Sequence, residues 1–328
     1  MLRLSPPDNN RIMQSKSFNS SYAGSEANVS VSLSRFGIQS KFISALPSNI
    51  IGHTALSQLR YHGVDTSDIL FKEGRIGIYF VESGYSQRPS LVVYDRKSSV
   101  IANTKTTDYN WKTIFESNDW FHFSGITPAL SKELSQACEN ALIEAKKMGL
   151  RVSCDLNFRN KLWSKEKASS VMRRYMKYID VLIGNEEDAK IIFGFDYTDN
   201  DSQKVKINEY EIIMKEINKN YGIKKIYFTL RESISATKNH WGSIGYDGEE
   251  FFLSNKYEIE ILDRLGAGDS FAAGIIYSEI NDFSTQKSIN FATAASCLKH
   301  TIHEDFNIVT LEEVFDLMNG PGTGRIKR

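Results

Sequence analysis

The sequence predicts an α/β fold with a mostly parallel central sheet, and three observations carry that prediction. Short apolar runs alternate with segments of helical period along most of the chain. A glycine-rich turn, Gly266-Ala267-Gly268, opens into a helix of small residues near the C-terminal end. Between about residues 75 and 104 the alternation breaks, with two strand-like runs and no helix between them. At 328 residues the chain can bury a large core, as one α/β domain or as one domain with an appendage.

Taken in order, Arg11–Tyr22 reads as a strand, and Ser25–Phe36 as a helix stopped by Gly37. Lys41–Leu46 is an apolar run of strand length. Ile76–Glu82 and Ser90–Arg96, joined by Ser83-Gly84-Tyr85-Ser86-Gln87-Arg88-Pro89, form an antiparallel hairpin with Arg11–Tyr22 as a further strand. Either this hairpin is a separate small β element or it extends the edge of the main sheet. Trp120–Ile126, Leu150–Leu156, Val181–Gly184 and Lys225–Leu230 are the strands of the parallel sheet. Between the first two, Leu134, Ala137, Cys138, Ala141, Leu142 and Ala145 share one helical face, and Gly149 ends that helix. Thr310 and Glu313 have the spacing of a capping box for a last helix. The residues from Gly320 to Arg328 read as a frayed tail.

Composition excludes several classes of function. Forty Lys+Arg balance forty Asp+Glu, so nothing points to nucleic acid or a membrane surface. No basic-then-apolar leader opens the sequence, and no run approaches the roughly 18 apolar residues of a membrane span. Cys138, Cys154 and Cys297 are far apart and form no Cys-x-x-Cys, which fits reduced core thiols and a cytoplasmic protein. His300-x-x-His303 has metal-ligand spacing but lacks an intervening Glu and a further histidine, so a surface or packing role is expected.

The glycine turn carries the chemistry. Free N–H groups and the positive dipole end at a helix N-terminus suit an anion such as phosphate. Asp269 adjoins that site; a carboxylate there fits a base that takes the proton from a hydroxyl attacking phosphorus. Capping of a close-packed helix explains the same residues equally well. A dinucleotide fingerprint fails because Phe271 stands where its third glycine belongs; no P-loop and no protein-kinase signature occurs.

Asp263-Arg264-Leu265-Gly266-Ala267-Gly268-Asp269-Ser270-Phe271-Ala272-Ala273-Gly274 resembles the C-terminal signature of the ribokinase-like (PfkB) carbohydrate kinases. Ala23-Gly24-Ser25-Glu26-Ala27-Asn28-Val29-Ser30 resembles their N-terminal one, with Ala23 where Gly is usual. Within that family the chain is most similar to 2-keto-3-deoxygluconate kinases, in Met1–Pro7, Val93–Arg96, Cys154–Arg159, Asn185–Asp188 and Asp305–Asn307. The resemblance implies a three-layer α/β/α domain over residues 1–328, with a small β lid from about 11–22 and 75–104. It implies ATP-dependent phosphorylation of the terminal hydroxyl of 2-keto-3-deoxygluconate, with Mg²⁺ and room for a monovalent cation. A kinase for another sugar or sugar acid, or a non-catalytic sugar- or nucleotide-binding protein on this scaffold, stays open beside it.

Residue by residue, the resemblance implies Asp269 as base and the N–H groups of Gly266, Ala267 and Gly268 as the anion hole. It puts Gly24, Asn28, Tyr79 and Asp305 near the sugar. Tyr94 and Arg96 lie two apart on one strand and share a face; Arg159 follows a parallel strand. Two buried guanidinium groups would be costly beside a neutral sugar, whereas a substrate carboxylate pairs with them. Asn157, Asn185, Thr229, Arg231 and Ser233 are implied on the nucleotide side, Thr229–Ser233 as a loop after a strand. Glu187 or Asp188 is implied to organise Mg²⁺ through water. The partners expected are a sugar acid and ATP, with a homo-oligomer formed through the lid. Family members carry a strand with Gly-Glu before the Met1–Leu4 segment, so an upstream start or a clipped chain is expected, with an open sheet edge and apolar surface in that strand's place.

Overall fold

The computed structural model describes residues 1–195, 207–320 and 322; the expected tail lies, apart from Gly320 and Gly322, outside them. In chain order the strands are β1 (Leu2–Ser5), β2 (Asn19–Tyr22), β3 (Ala45–Pro47), β4 (Leu70–Lys72), β5 (Ile78–Glu82), β6 (Leu91–Asp95), β7 (Trp120–Ser124), β8 (Arg151–Asp155), β9 (Val181–Gly184), β10 (Lys225–Ser233), β11 (Lys238–Tyr246), β12 (Phe251–Leu253) and β13 (Tyr257–Glu260). The helices are α1 (Ser25–Arg35), α2 (Ile50–Tyr61), α3 (Trp111–Phe115), α4 (Ile126–Ala129), α5 (Lys132–Lys147), α6 (Lys165–Tyr175), α7 (Glu186–Phe193), α8 (Ile207–Tyr221), α9 (Ala267–Ile280), α10 (Thr285–Lys299) and α11 (Leu311–Asn319).

The central sheet runs β12-β11-β10-β9-β8-β7, with β13 also on β11. Strands β7 to β10 are parallel and β11 to β13 antiparallel. Strand alternation sorts side chains between two apolar layers. Val181, Ile183 and Tyr227 face α1, α9, α10 and α11, packing on Phe271, Ile275 and Phe291. Cys154, Leu182 and Phe228 face the other way, on Leu142, Met172 and Ile213 of α5, α6 and α8. The result is the expected α/β/α sandwich. Helix ends obey their sequence signals: Gly37 and Gly149 have positive φ, and Thr310 and Glu313 close a capping box.

A second sheet, β2-β1-β5-β6, stands where the sequence leads us to expect the lid. Here the structure corrects the sequence reading. Only Asn19–Tyr22 of Arg11–Tyr22 is strand, Ile12–Gln14 being a 3₁₀ turn, and it pairs with β1 rather than with the hairpin. Strand β1 lies between them, antiparallel to β2 and parallel to β5. Lys41–Leu46 is not a central strand: Lys41 makes one bridge to Asp65, and Ala45–Pro47 pairs with β4 in a separate two-stranded sheet. Phe42 and Ile43 are apolar because they pack against neighbouring clusters, not because they extend the sheet.

Among the described residues the outer edge of β7 pairs with no strand. A cavity of about 310 Å³ lies beside it, lined by Val29, Leu33, Phe42, Phe121 and Phe123 among others. No helix among the described residues is long and apolar enough to cross a membrane.

Candidate active site

The site forms where the carboxyl ends of β8 and β9 meet the N-termini of α1 and α9, an arrangement that gathers strand-end side chains and helix dipoles in one place. Gly266 caps α9 with φ +79°, and a Cβ there would sit 2.0 Å from the Asp305 carbonyl oxygen; only glycine fits. A Cβ on Gly268 would meet nothing within 4 Å, so the turn is packed on one side and open on the other.

Asp269, in the first turn of α9, is only 9% exposed. The Ser25 hydroxyl donates to its Oδ1 at 2.7 Å, and the Asn28 amide donates to its Oδ2 at 2.6 Å. The Gly24 N–H donates to Asn28 Oδ1 at 3.3 Å, which fixes the amide's orientation. Asn157, at the end of β8 with φ +35°, donates to Ser25 Oγ (3.2 Å) and to Asp155 Oδ2 (3.3 Å). Burial pushes the Asp269 carboxyl up to about 6, against the pull of the Ser25 and Asn28 bonds. Glu26 ties α1 to the end of β7, accepting from the Ser124 N–H (3.0 Å) and from the Ser124 and Thr127 hydroxyls (2.8 and 2.7 Å).

Two further acids stand near. Burial, then the charges of Asp269 and Asp188, hold Asp155 well above the carboxylate range. Burial lifts Asp188 to about 6, while Arg159 and the Asn185 bond oppose it. Asn185 caps α7, accepting from the Asp188 N–H (2.9 Å) and donating to Asp188 Oδ2 (3.1 Å). Of the two acids the sequence leaves open, Asp188 is the one in this cluster, while Glu187 is exposed. Arg159, expected from the sequence to be buried like Arg96, is exposed, because it lies in the irregular segment beyond the end of β8; it still acts electrostatically on Asp155, Asp188 and Asp269 together.

The lid closes the other side. Tyr79 and Tyr94 are cross-strand partners with rings stacked at 6.0 Å. The Arg96 guanidinium lies over the Tyr94 ring at 4.0 Å from its centre. Arg96 is 9% exposed, and among the described residues its buried Nη2 has no hydrogen-bond partner. Burial and the nearby Arg159 charge both depress its pKa. Asp305, expected near the sugar, is engaged through one of its two carboxylate oxygens. Its Oδ1 holds Arg3 Nη1 at 2.7 Å, while Arg3 Nη2 reaches Asp263 Oδ2 at 2.5 Å. This buried ion pair fastens lid strand β1 to the loops on either side of the glycine turn.

The family model for the pfkB family carbohydrate kinases matches residues 1–304. The chain belongs to this family. The crystal structure of the 2-dehydro-3-deoxygluconokinase of Thermotoga maritima is 48% identical with a TM-score of 0.94, covering 98% of this chain and 96% of that one. A 2-dehydro-3-deoxygalactonokinase of Haloferax volcanii is 29% identical over 99% of this chain and 96% of its own length. An ATP-dependent 6-phosphofructokinase of Thermoanaerobacterium thermosaccharolyticum is 24% identical over 90% of this chain and 85% of its own. The chain is a carbohydrate kinase of the ribokinase-like fold.

For this kinase the nucleotide side needs a correction. Thr229–Ser233 is not a loop but the second half of β10, paired residue for residue with Ser243–Asn239 of β11; the turn comes later, at 234–237. Thr229 donates to the Gly184 carbonyl at 3.5 Å, and Glu232 is bonded to His240 (3.0 Å) and Lys256 (2.9 Å). Arg231 and Ser233 are exposed, and the Arg231 charge reaches Arg264, whose pKa burial already depresses. Arg264 Nη2 donates to the Ala236 carbonyl at 2.7 Å. His300 packs edge-on against Trp241 and bonds Ser296 O through Nδ1 (2.7 Å). The three cysteines are free and buried, their thiols pushed up by burial.

Sequence reasoning missed Ser25, Asp155, Arg3, Asp263 and Arg264. All but Arg3 and Asp155 stand inside the two glycine motifs, which was the available signal; Asp155 precedes Asn157 in Cys154–Arg159. Arg3 gave none, because its partners are 260 and 302 residues away.

Proposed function

We propose that this carbohydrate kinase transfers the γ-phosphoryl group of ATP to the terminal hydroxyl of 2-keto-3-deoxygluconate, giving the 6-phosphate. One observation carries the substrate reading: among the described residues Arg96 keeps a buried N–H without a partner, beside a second guanidinium, Arg159. A carboxylate between them satisfies the orphan donor and removes the repulsion; a hydroxyl of a neutral sugar does only the first. The names of the Thermotoga and Haloferax relatives, both kinases of oxo-deoxy sugar acids, support the same class.

Asp269 takes the proton of the attacking hydroxyl. The oxygen bonds to the γ-phosphorus as the bond to the β–γ bridging oxygen breaks, and ADP leaves with that electron pair. The N–H groups of Gly266, Ala267 and Gly268 meet the charge on the transferring group, with the open side of Gly268 leaving room for it. Gly24, Asn28, Tyr79 and Tyr94 line the sugar, while Asp305 supports the site through Arg3. Asn157, Asn185, Thr229, Arg231 and Ser233 serve the nucleotide side.

Among the described residues no three His, Cys, Asp or Glu side chains converge to chelate a metal. Asn185 and Asp188, oxygen donors at the start of α7, would hold a Mg²⁺ through water. When bound, the ion neutralises triphosphate charge. Leu91 and Val93, exposed on the lid, support pairing of two lids in a homo-oligomer.

A coupled ADP-release assay tests the reading, offering the gluco and galacto 2-keto-3-deoxy acids beside fructose, ribose, gluconate and fructose 6-phosphate. The 2-keto-3-deoxy acids should show the highest kcat/KM. A faster neutral sugar would overturn the substrate assignment, and binding without turnover would favour the non-catalytic reading.

A further inference from the structure

Asn157 lies just past the end of β8 in a left-handed backbone, φ +35°, a conformation that favours glycine and asparagine. What its amide does explains why asparagine stands there. The residue is 9% exposed, and its Nδ2 serves two acceptors, Ser25 Oγ at 3.2 Å and Asp155 Oδ2 at 3.3 Å. An amide nitrogen carries two hydrogens, so both are engaged and the group cannot turn without breaking a bond.

The consequence falls on Ser25. Its hydroxyl has one hydrogen to give and lone pairs that accept. With Asn157 filling an acceptor place, the hydrogen points at Asp269 Oδ1, 2.7 Å away. Three bonds therefore run as one chain. Asp155 anchors Asn157, Asn157 orients Ser25, and Ser25 donates to Asp269. The chain joins the end of β8 to the first turns of α1 and α9. Asn28 holds the other carboxylate oxygen independently. Burial keeps Asp155 well above the carboxylate range, so it anchors the amide without setting another charge against Asp269.

We infer that Asp155 and Asn157 are positioning residues for the base: they fix the Ser25 hydroxyl on Asp269 and so hold that carboxylate ionised and in one orientation. The inference rests on the role given to Asp269 above, and it adds to the nucleotide-side role of Asn157. Without the amide, the Ser25 hydroxyl is free to turn to other acceptors. The ionised form of Asp269 then loses support, and the carboxyl binds its proton more tightly. The charged or titratable groups that face Asp269 are Arg159, Asp305, Asp155 and Lys299. Replacing Asn157 or Ser25 alters none of them, so a shift on replacement reports the chain of bonds.

The test follows the Asp269 carboxyl by ¹³C NMR in the full chain labelled at aspartate, its signal assigned by loss in Asp269→Asn, and follows ADP release beside it. Asn157→Gly keeps the left-handed backbone and removes the amide. It should raise the Asp269 midpoint by roughly half to one pH unit, part of the worth of a hydrogen bond to a charged group, and move the acid limb of kcat/KM with it. Ser25→Ala should move both at least as far. Adding Asn157→Gly to Ser25→Ala should move them no further, because the two act through one bond. Asp155→Leu should shift the midpoint as Asn157→Gly does, and Asp155→Asn, which keeps an acceptor oxygen, should recover most of that shift. An unmoved midpoint in Asn157→Gly overturns the inference, and a raised ATP KM alongside it would leave Asn157 its nucleotide-side role alone. Additive shifts in the double variant overturn it too, and equal shifts in the two Asp155 variants remove Asp155 from the chain. If Asp155→Leu does not fold, the Asn157 and Ser25 variants decide. Shifted midpoints in a protein that releases no ADP would overturn the kinase reading and leave the chain of bonds standing.

Discussion

Replacing Asp269 by asparagine should separate what this residue does for the reaction from what it does to the fold. Burial lifts its carboxyl from 3.8 to about 6, which corresponds to roughly 3 kcal/mol against the ionised form. The folded value exceeds the unfolded one, so the folded protein holds this proton more tightly. Its stabilising contribution is complete below 3.8 and is lost as the pH rises through about 6. Above that, the protein carries an ionised, buried base at a cost. The asparagine of the variant carries no charge; its amide oxygen can still accept from Asn28, but its N–H₂ then faces Ser25 Oγ, whose own proton must turn away, forfeiting about 1 kcal/mol of hydrogen bonding. On balance Asp269→Asn should be more stable than the native protein at neutral pH, by roughly 2 kcal/mol.

The rate should move the other way. General-base catalysis is worth about 10²–10⁴-fold, so kcat should fall within that range while sugar KM changes little. Native kcat/KM should rise with pH to a plateau, with its midpoint near 6, and the variant should lack that limb. Asp188 titrates in the same window, so Asp188→Asn is the control and should retain the limb. Ser25→Ala, which removes a hydrogen bond to the carboxylate, should move the limb to higher pH. Melting curves against pH and steady-state kinetics measure all of this. An Asp269→Asn variant with kcat within about tenfold of native would refute the base assignment; one less stable than native at neutral pH would refute the burial argument.

Three further predictions concern the substrate and the glycine turn. Arg96→Met and Arg159→Met should each raise KM for the sugar acid roughly 10- to 100-fold, the worth of a charge-assisted hydrogen bond, without affecting a neutral sugar; equal losses for both would argue against carboxylate binding. Gly266→Ala should lose both stability and activity, because its Cβ would clash at 2.0 Å on a backbone with φ +79°. Gly268→Ala should melt at or above the native temperature, since alanine favours a helix by about 1 kcal/mol, yet turn over slowly because its methyl enters the space for phosphate. A fully active Gly268→Ala would place the phosphate elsewhere.

What the sequence showed, and what it hid, follows from how local each signal is. Helices α1 and α5 were legible because an apolar stripe ends at a glycine, Gly37 or Gly149, that the chain needs for a positive φ. Tyr94 and Arg96 were legible because a period of two fixes a shared face whatever the strand pairs with. Lys41–Leu46 misled because apolar residues in an irregular segment bury themselves as readily as those in a strand. Thr229–Ser233 misled in the opposite sense: it is polar, half-exposed and paired, so it lacks the apolar mark of a buried parallel strand. β11 went unread because Gly242, Ser243 and Gly245 break its apolar run, although its partners β10, β12 and β13 lie close in sequence. The pairing of Arg3 with Asp263 and Asp305 lies beyond any local pattern.

On the proposed reading, the geometry also couples the recognition of a sugar acid to the strength of Asp269 as a base. Arg159 lowers Asp269, Asp188 and Asp155 together, and it repels Arg96 across the same pocket. In the free enzyme, then, Arg159 makes Asp269 a weaker base than burial alone would. A sugar carboxylate seated between the two arginines cancels that pull and adds a negative charge of its own, and both effects raise the Asp269 pKa. The correct substrate therefore strengthens the base that will act on it, while a neutral sugar of the same shape leaves it weakened. The signature is kinetic. The acid limb of kcat reports the bound complex and that of kcat/KM the free enzyme, so with a sugar acid the first should lie at higher pH than the second. With a neutral sugar the two should coincide, and Arg159→Met should shift the kcat/KM limb itself upward. Coincident limbs for the sugar acid would show that its carboxylate does not sit against Arg159, and the discrimination would then have to come from binding alone.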